Sequence, residues 1–162
     1  MIILGIDPGT ASMGYGILKV RPKKRGRPAI SHIHHGCITT SKDLPASERL
    51  HIIEKELRKI MREHSPNLVA IESLFFFKNL KTAMPVSEAK GVVLLMAAKN
   101  KLEVQEFSPP QIKMAITGFG RAEKKEVQEH VQKILKLKEL PRPNHAADAL
   151  SVAIICSRGI KG

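Results

Sequence analysis

Three carboxylates in this sequence stand apart from the rest. Asp7 closes the apolar run Ile2–Ile6, Glu72 closes a second apolar run, Leu68–Ile71, and Asp148 sits in the alanine-rich segment His145-Ala146-Ala147-Asp148-Ala149. Most other acidic residues share helix faces with Lys or Arg, where a solvated surface role accounts for them. A carboxylate in apolar surroundings is costly to ionise, so such groups tend to be paired or to hold a cation. His145 precedes Asp148 by three positions, which puts both on one face of a helix. Two strand-end carboxylates facing a helix that carries a His and an Asp would form an oxygen-rich pocket suited to a hard divalent cation such as Mg²⁺. For any one carboxylate alone, a helix cap or a structural salt bridge would serve as well; one cause explaining four oddly placed residues is the more economical reading.

The charge balance says what such a pocket would act on. The chain has 162 residues with 27 Lys+Arg against 15 Asp+Glu, a formal net charge of +12, which points to a polyanionic partner. A pocket of this kind in a basic protein suggests metal-assisted phosphodiester hydrolysis, in which two ions about 3.5–4 Å apart activate water and stabilise the leaving oxygen. A membrane partner is disfavoured, because the longest purely apolar run, Val92–Ala98, is seven residues against about 20 for a spanning helix. The opening MIILGID has no basic leader and places Asp7 where a signal peptide would still be apolar, so a cytoplasmic location is expected. Cys37 and Cys156 form no CxxC or Cys/His spacing and are expected to be reduced and buried.

The elements that must position the four residues follow from periodicity. Strands are expected at Ile2–Ile6, Ser12–Val20, Ile30–Thr40, Leu68–Ile71 and Val104–Phe107. Helices are expected over Ser47–His64 and Met84–Asn100, then from near Pro110, from near Ala122, and over His145–Ser157 with Asn144 as its cap. This order gives an α/β fold with a five-stranded mixed sheet flanked by helices. The length fits a single domain, 1–162. The segment 21–28, RPKKRGRP, is too polar and too rich in Pro and Gly for a strand, and reads as a basic hairpin tip carrying five of the 27 basic residues. Val92–Ala98 is apolar almost all round, and Ala89 and Gly91 would let another helix approach, so a subunit interface and a core helix are both open.

The residues also resemble a known family. Leu4-Gly5-Ile6-Asp7-Pro8-Gly9-Thr10 with Gly14-Tyr15-Gly16, Ile71-Glu72-Ser73-Leu74-Phe75-Phe76 with Asn79, Thr82 and Ala83, the loop Gly118–Lys124, and His145–Leu150 together resemble the RuvC family of Holliday junction resolvases over essentially the whole chain. The resemblance implies an RNase H-like fold, a homodimer, and Mg²⁺-dependent nicking of four-way DNA junctions by paired symmetric cuts in recombination and repair. It implies Asp7, Glu72, His145 and Asp148 as the catalytic, metal-holding tetrad, with two Mg²⁺ ions per site, Mn²⁺ as an admissible substitute and no other cofactor. A branch-migration complex is a further candidate partner. His145 stands where many members carry Asp; a neutral imidazole can ligate a metal, but a protonated one cannot, so activity is expected to fall as pH drops through about 6.5.

DNA-holding residues are expected around the tetrad. Three successive phenylalanines, Phe75–Phe77, cannot all face one core, so at least one is expected to be exposed where it could stack on an unpaired base; the resemblance puts such a wedge at Phe75. It also places functional basic residues at Lys113 and Lys124. Arg121 and Lys125 extend the second basic cluster at a helix start, and Lys78 and Lys81 follow the aromatic run. In the hairpin tip, Lys24-Arg25-Gly26-Arg27-Pro28 resembles the core of an AT-hook, which makes Arg25 and Arg27 candidates for DNA contact, with a solvated basic loop as the simpler reading. His32, His34 and His35 invite a metal reading, but alternation along a strand would split them between two faces. Two other classes of function remain in view: a junction-binding protein without catalysis, and a single domain of the actin-like kinase and ATPase superfamily, whose phosphate loop shares the pattern Gly5-x-Asp7-x-Gly9-Thr10.

Overall fold

The computed structural model describes residues 1–73 and 80–160, the side chains of 80–82 excepted. Its elements run β1 (Ile2–Asp7), β2 (Ser12–Arg21), β3 (Ala29–Thr39), α1 (Ala46–His64), β4 (Leu68–Glu72), α2 (Leu80–Lys99), β5 (Glu103–Phe107), α3 (Pro109–Thr117), α4 (Lys124–Leu135) and α5 (Asn144–Arg158). The five strands form one mixed sheet in the order β3-β2-β1-β4-β5. β1, β2 and β3 make an antiparallel meander, while β4 and β5 are added parallel to β1 through helical crossovers.

Alternation along the strands sorts the core into two layers. Leu4, Ile6, Met13, Ile17 and Val69 face Ile53 and Leu57 of α1 and Val93 and Ala97 of α2. Ile3, Leu18, Val20, Leu68 and Ala70 face the other way, onto Leu150 and Ile154 of α5 and onto Ile112 of α3 and Val131 of α4. The same period carries a functional consequence: Asp7 shares its parity with Ile3, and Glu72 shares its parity with Leu68 and Ala70. Both carboxylates are thereby turned to the face that α5 covers.

Close packing of α5 depends on residues without bulk. A β-carbon on Gly5 would collide with the Ala149 carbonyl, and one on Gly14 would collide with the His145 carbonyl. Gly14 lies opposite Asp7 in the β1–β2 register, so this is the point where the first turn of α5 comes down onto the end of β1.

Several boundaries differ from those expected. α2 begins at Leu80, a turn before Met84, and continues through Pro85, where the helix forgoes the hydrogen bond that a proline nitrogen cannot donate. α4 begins at Lys124: Glu123 takes the N-cap position, and Ala122, ahead of the helix, is buried in the core. Asn144 does not cap α5: Pro143 holds the N-cap position, Asn144 is the first helical residue, and its Oδ1 accepts a hydrogen bond of 3.0 Å from Gln128 Nε2 on α4. Cys156 is buried, and burial pushes its thiol up to about 12, but Cys37 is only half-buried.

The histidines of β3 pair in a way that simple alternation does not anticipate. The register shifts between Ile17, which faces His34, and Leu18, which faces His32, leaving Ile33 as the extra residue of a bulge. His32 Nε2 and His35 Nδ1 consequently lie 2.8 Å apart on one face, while His34 reaches the Tyr15 hydroxyl at 3.2 Å and stacks on His64.

Candidate active site

At the carboxyl ends of β1 and β4, beside the first turn of α5, the separated residues of the sequence come together. His145 Nδ1 donates to Asp7 Oδ2 at 2.7 Å. Asp148, one turn further along α5, accepts from Lys124 Nζ at 2.7 Å. Asp7, His145 and Asp148 each offer a ligand atom, and these atoms all lie within 4.8 Å of one another. Glu72 is not one of that trio; it lines the adjoining cavity of about 210 Å³ together with Lys113, Lys124, Asp148 and Ser151.

The electrostatics are those of a site with too much negative charge for its degree of burial. Burial, reinforced by the charges of Asp7 and Asp148, pushes the Glu72 carboxyl up to about 7. Burial likewise raises Asp148, against the opposing hydrogen bond from Lys124. His145 is raised by its hydrogen bond to Asp7, which outweighs its own partial burial. A divalent cation would relieve these strains, since it neutralises the carboxylates and takes the place of protons. The donors are carboxylate oxygens with one imidazole, a set suited to Mg²⁺ or Mn²⁺. With Nδ1–H committed to Asp7, Nε2 is the ring nitrogen left with a lone pair for a metal.

The basic residues separate into distinct places. Lys113 and Lys124 both line the cavity. The pairing of Lys124 with Asp148 spans 24 positions, and no spacing rule could have found it. Arg121 and Lys125 are exposed beside the start of α4 and do not line the cavity. Arg25 and Arg27 are exposed at the far end of the β2–β3 hairpin, away from this site. Phe75, Phe76, Phe77, Lys78 and Asn79 lie outside the described residues, as does the side chain of Lys81. Ser151, which the sequence did not single out, lines the cavity, its hydroxyl donating to the Ala147 carbonyl at 2.9 Å.

Residues 3–156 match the family model described as crossover junction endodeoxyribonuclease RuvC. The chain belongs to the RuvC family. The RuvC of Thermosipho melanesiensis is 50% identical over 153 residues, covering 94% of each chain. Among solved structures, Thermus thermophilus RuvC superimposes with a TM-score of 0.85 at 37% identity, covering 95% of this chain and 92% of that one. A second structure, T. thermophilus RuvC in complex with Holliday junction substrate, superimposes with a TM-score of 0.89 at 35% identity, covering 98% and 94%. The five-stranded mixed sheet with its helices is the RNase H-like fold of RuvC.

Proposed function

We propose that this chain, acting as one domain over 1–162, is a metal-dependent crossover junction endodeoxyribonuclease that resolves four-way DNA junctions. The observation that carries the reading is the meeting of Asp7, His145 and Asp148 within 4.8 Å, beside a cavity that Glu72 shares with Lys113 and Lys124. Asp7, Glu72, Asp148 and the Nε2 of His145 would hold Mg²⁺, two ions in the reacting complex, with Mn²⁺ able to replace it. A cation held there would supply Lewis-acid polarisation of the phosphodiester and would lower the pKa of water so that hydroxide is available as nucleophile near neutral pH.

The remaining chemistry falls to the chain. His145 would ligate only as the neutral imidazole, without a proton on Nε2, while its Nδ1–H keeps the ring oriented through Asp7. Lys124 holds Asp148 in place and brings a cation to the cavity wall; Lys113 brings a second. Both are placed to attract a phosphate towards carboxylates that would otherwise repel it. Arg121 and Lys125, exposed around the start of α4, extend this field over the flanking DNA. Phe75, Lys78 and Lys81 remain candidates for holding an opened base and its strand.

Paired cuts require two such sites, and α2 supplies a surface for a second copy. It buries Ala89, Val93, Met96 and Ala97 against α1 and the sheet while leaving Met84, Leu94 and Leu95 exposed. We assign this exposed apolar stripe to the homodimer contact. Among the described residues no helix is long and apolar enough to cross a membrane.

The test is a nicking assay on a synthetic four-way junction and on linear duplexes of the same sequences, with and without Mg²⁺. Paired nicks confined to the junction and requiring the cation support the reading. Junction binding without cation-dependent nicking would instead leave a binding protein without catalysis.

A further inference from the structure

The hairpin between β2 and β3 is the most one-sided charge feature of the molecule. From Pro8 to Lys42 the chain carries Lys19, Arg21, Lys23, Lys24, Arg25, Arg27 and Lys42 and not one Asp or Glu. Residues 21–27 are all exposed, and among the described residues none of the ion pairs uses a base from this hairpin. The tip also lies against further positive charge. Arg27 and Arg158, the latter at the end of α5, face a cavity of about 190 Å³ also lined by Pro28, Ile30, Ile134 and Ser157. The Arg158 guanidinium donates to the Ala115 carbonyl, which ties it to the end of α3. Burial and the neighbouring Arg27 both weaken its hold on its proton. Like charges assembled without a counter-charge repel one another and gain most from a polyanion.

The register places this cluster at the opposite end of the sheet from the site. Asp7 pairs with Gly14 at the start of β2, and Arg21 pairs with Ala29 at its end. Seven strand steps separate Gly14 from Arg21, about 23 Å at roughly 3.3 Å per residue, and the tip extends beyond that. B-DNA advances about 3.4 Å per base pair, so duplex at the tip lies at least about seven base pairs from DNA at the Asp7 end of the sheet. Between Arg21 and Pro28 there is no aromatic or aliphatic side chain for a bilayer to take up, and the bases are mostly arginines, which suit phosphate and groove contacts.

We infer that the hairpin tip, with Arg25 and Arg27 beside Arg158, is a second DNA-binding site that grips the duplex arm of a junction at a distance from the catalytic cavity. It rests on the nuclease reading above and adds to it a sensitivity to arm length: a junction with long arms is held at both ends of the sheet, one with short arms only at the cavity end.

The experiment measures affinity, without added divalent cation, for junctions with arms of about 5 and about 20 base pairs, the short arms closed by loops, across a salt series. The unaltered protein is compared with the Arg25→Ala/Arg27→Ala double variant. Loss of two phosphate contacts should lower the salt slope on the long-arm junction by about 1.8, which amounts to about a tenfold smaller loss of affinity between 50 and 200 mM salt. The ratio of long-arm to short-arm affinity should fall with it. An unchanged long-arm slope, or an equal effect at both arm lengths, overturns the inference. Failure of the unaltered protein to bind either junction counts against the nuclease reading instead.

Discussion

His145 Nδ1 lies 2.7 Å from Asp7 Oδ2, a contact that joins the first turn of the last helix to the end of the first strand across 138 positions of chain. It ties the state of the imidazole to that of the carboxylate. Because the hydrogen bond raises His145, the ring stays protonated, and unable to ligate, to a higher pH than a free histidine would. Nicking should therefore fall as pH drops through a value above the free value of about 6.5, a higher onset than the sequence suggests. The pH–rate profile checks this, and His145→Asp should remove the loss in that range.

Stability of the cation-free protein should decline as pH rises. Glu72 keeps its proton in the folded state up to about 7, whereas in the unfolded chain it ionises near 4.5. Between those values the folded state binds more protons, so rising pH favours unfolding. Asp148 and His145, both raised, act in the same direction. Added Mg²⁺ should offset the loss, so thermal unfolding should show a larger Mg²⁺-induced rise in Tm above pH 7 than at pH near 4.5.

Lys124 should act on the site and on DNA together. Its Nζ is the counter-charge of Asp148 at 2.7 Å, so Lys124→Met should raise the Asp148 pKa further and remove a cation from the cavity wall. A decrease in nicking of about 10–100-fold is expected, the range seen for partners that orient metal ligands. Junction affinity and rate at saturation, measured separately, distinguish the two contributions.

Gly14→Ala should weaken both fold and site. The added carbon would press on the His145 carbonyl, and α5 would have to move away from β2. A destabilisation of about 1–3 kcal/mol is expected for such overpacking, with a further loss of nicking because His145 and Asp148 ride on the displaced helix. Chemical denaturation together with the nicking rate checks it.

The sheet and its helices are legible in the sequence because their signals are local. Ile2–Ile6 and Leu68–Ile71 are unbroken apolar runs, and the α1 stripe of Ile53, Leu57 and Ile60 has plain helical spacing. The candidate site is legible for a related reason, since strand ends and an alanine-rich helix are unusual places for charge; the structure groups Asp7, His145 and Asp148 and sets Glu72 on the adjoining cavity. What local signals could not carry depends on long-range contact. The pairing of Lys124 with Asp148 requires α4 to lie beside α5. The recruitment of Asn144 by Gln128 instead of by its own helix has the same origin. The bulge at Ile33 that brings His32 to His35 is a property of the β2–β3 register, invisible to alternation along one strand. The basic tip is visible in the sequence, but its position at the opposite end of the sheet from the cavity lysines, Lys113 and Lys124, is visible only in three dimensions.

Cleavage of a four-way junction by the Asp7→Asn protein, over a range of Mg²⁺ concentrations, tests the account most directly. Asp7 is the carboxylate that both bonds His145 and offers an oxygen beside Asp148. Nicking should fall by more than about 100-fold, beyond the loss typical of groups that only support a ligand, while folding and junction binding persist. Cation-dependent nicking at the unaltered rate would contradict the placement of the metal site.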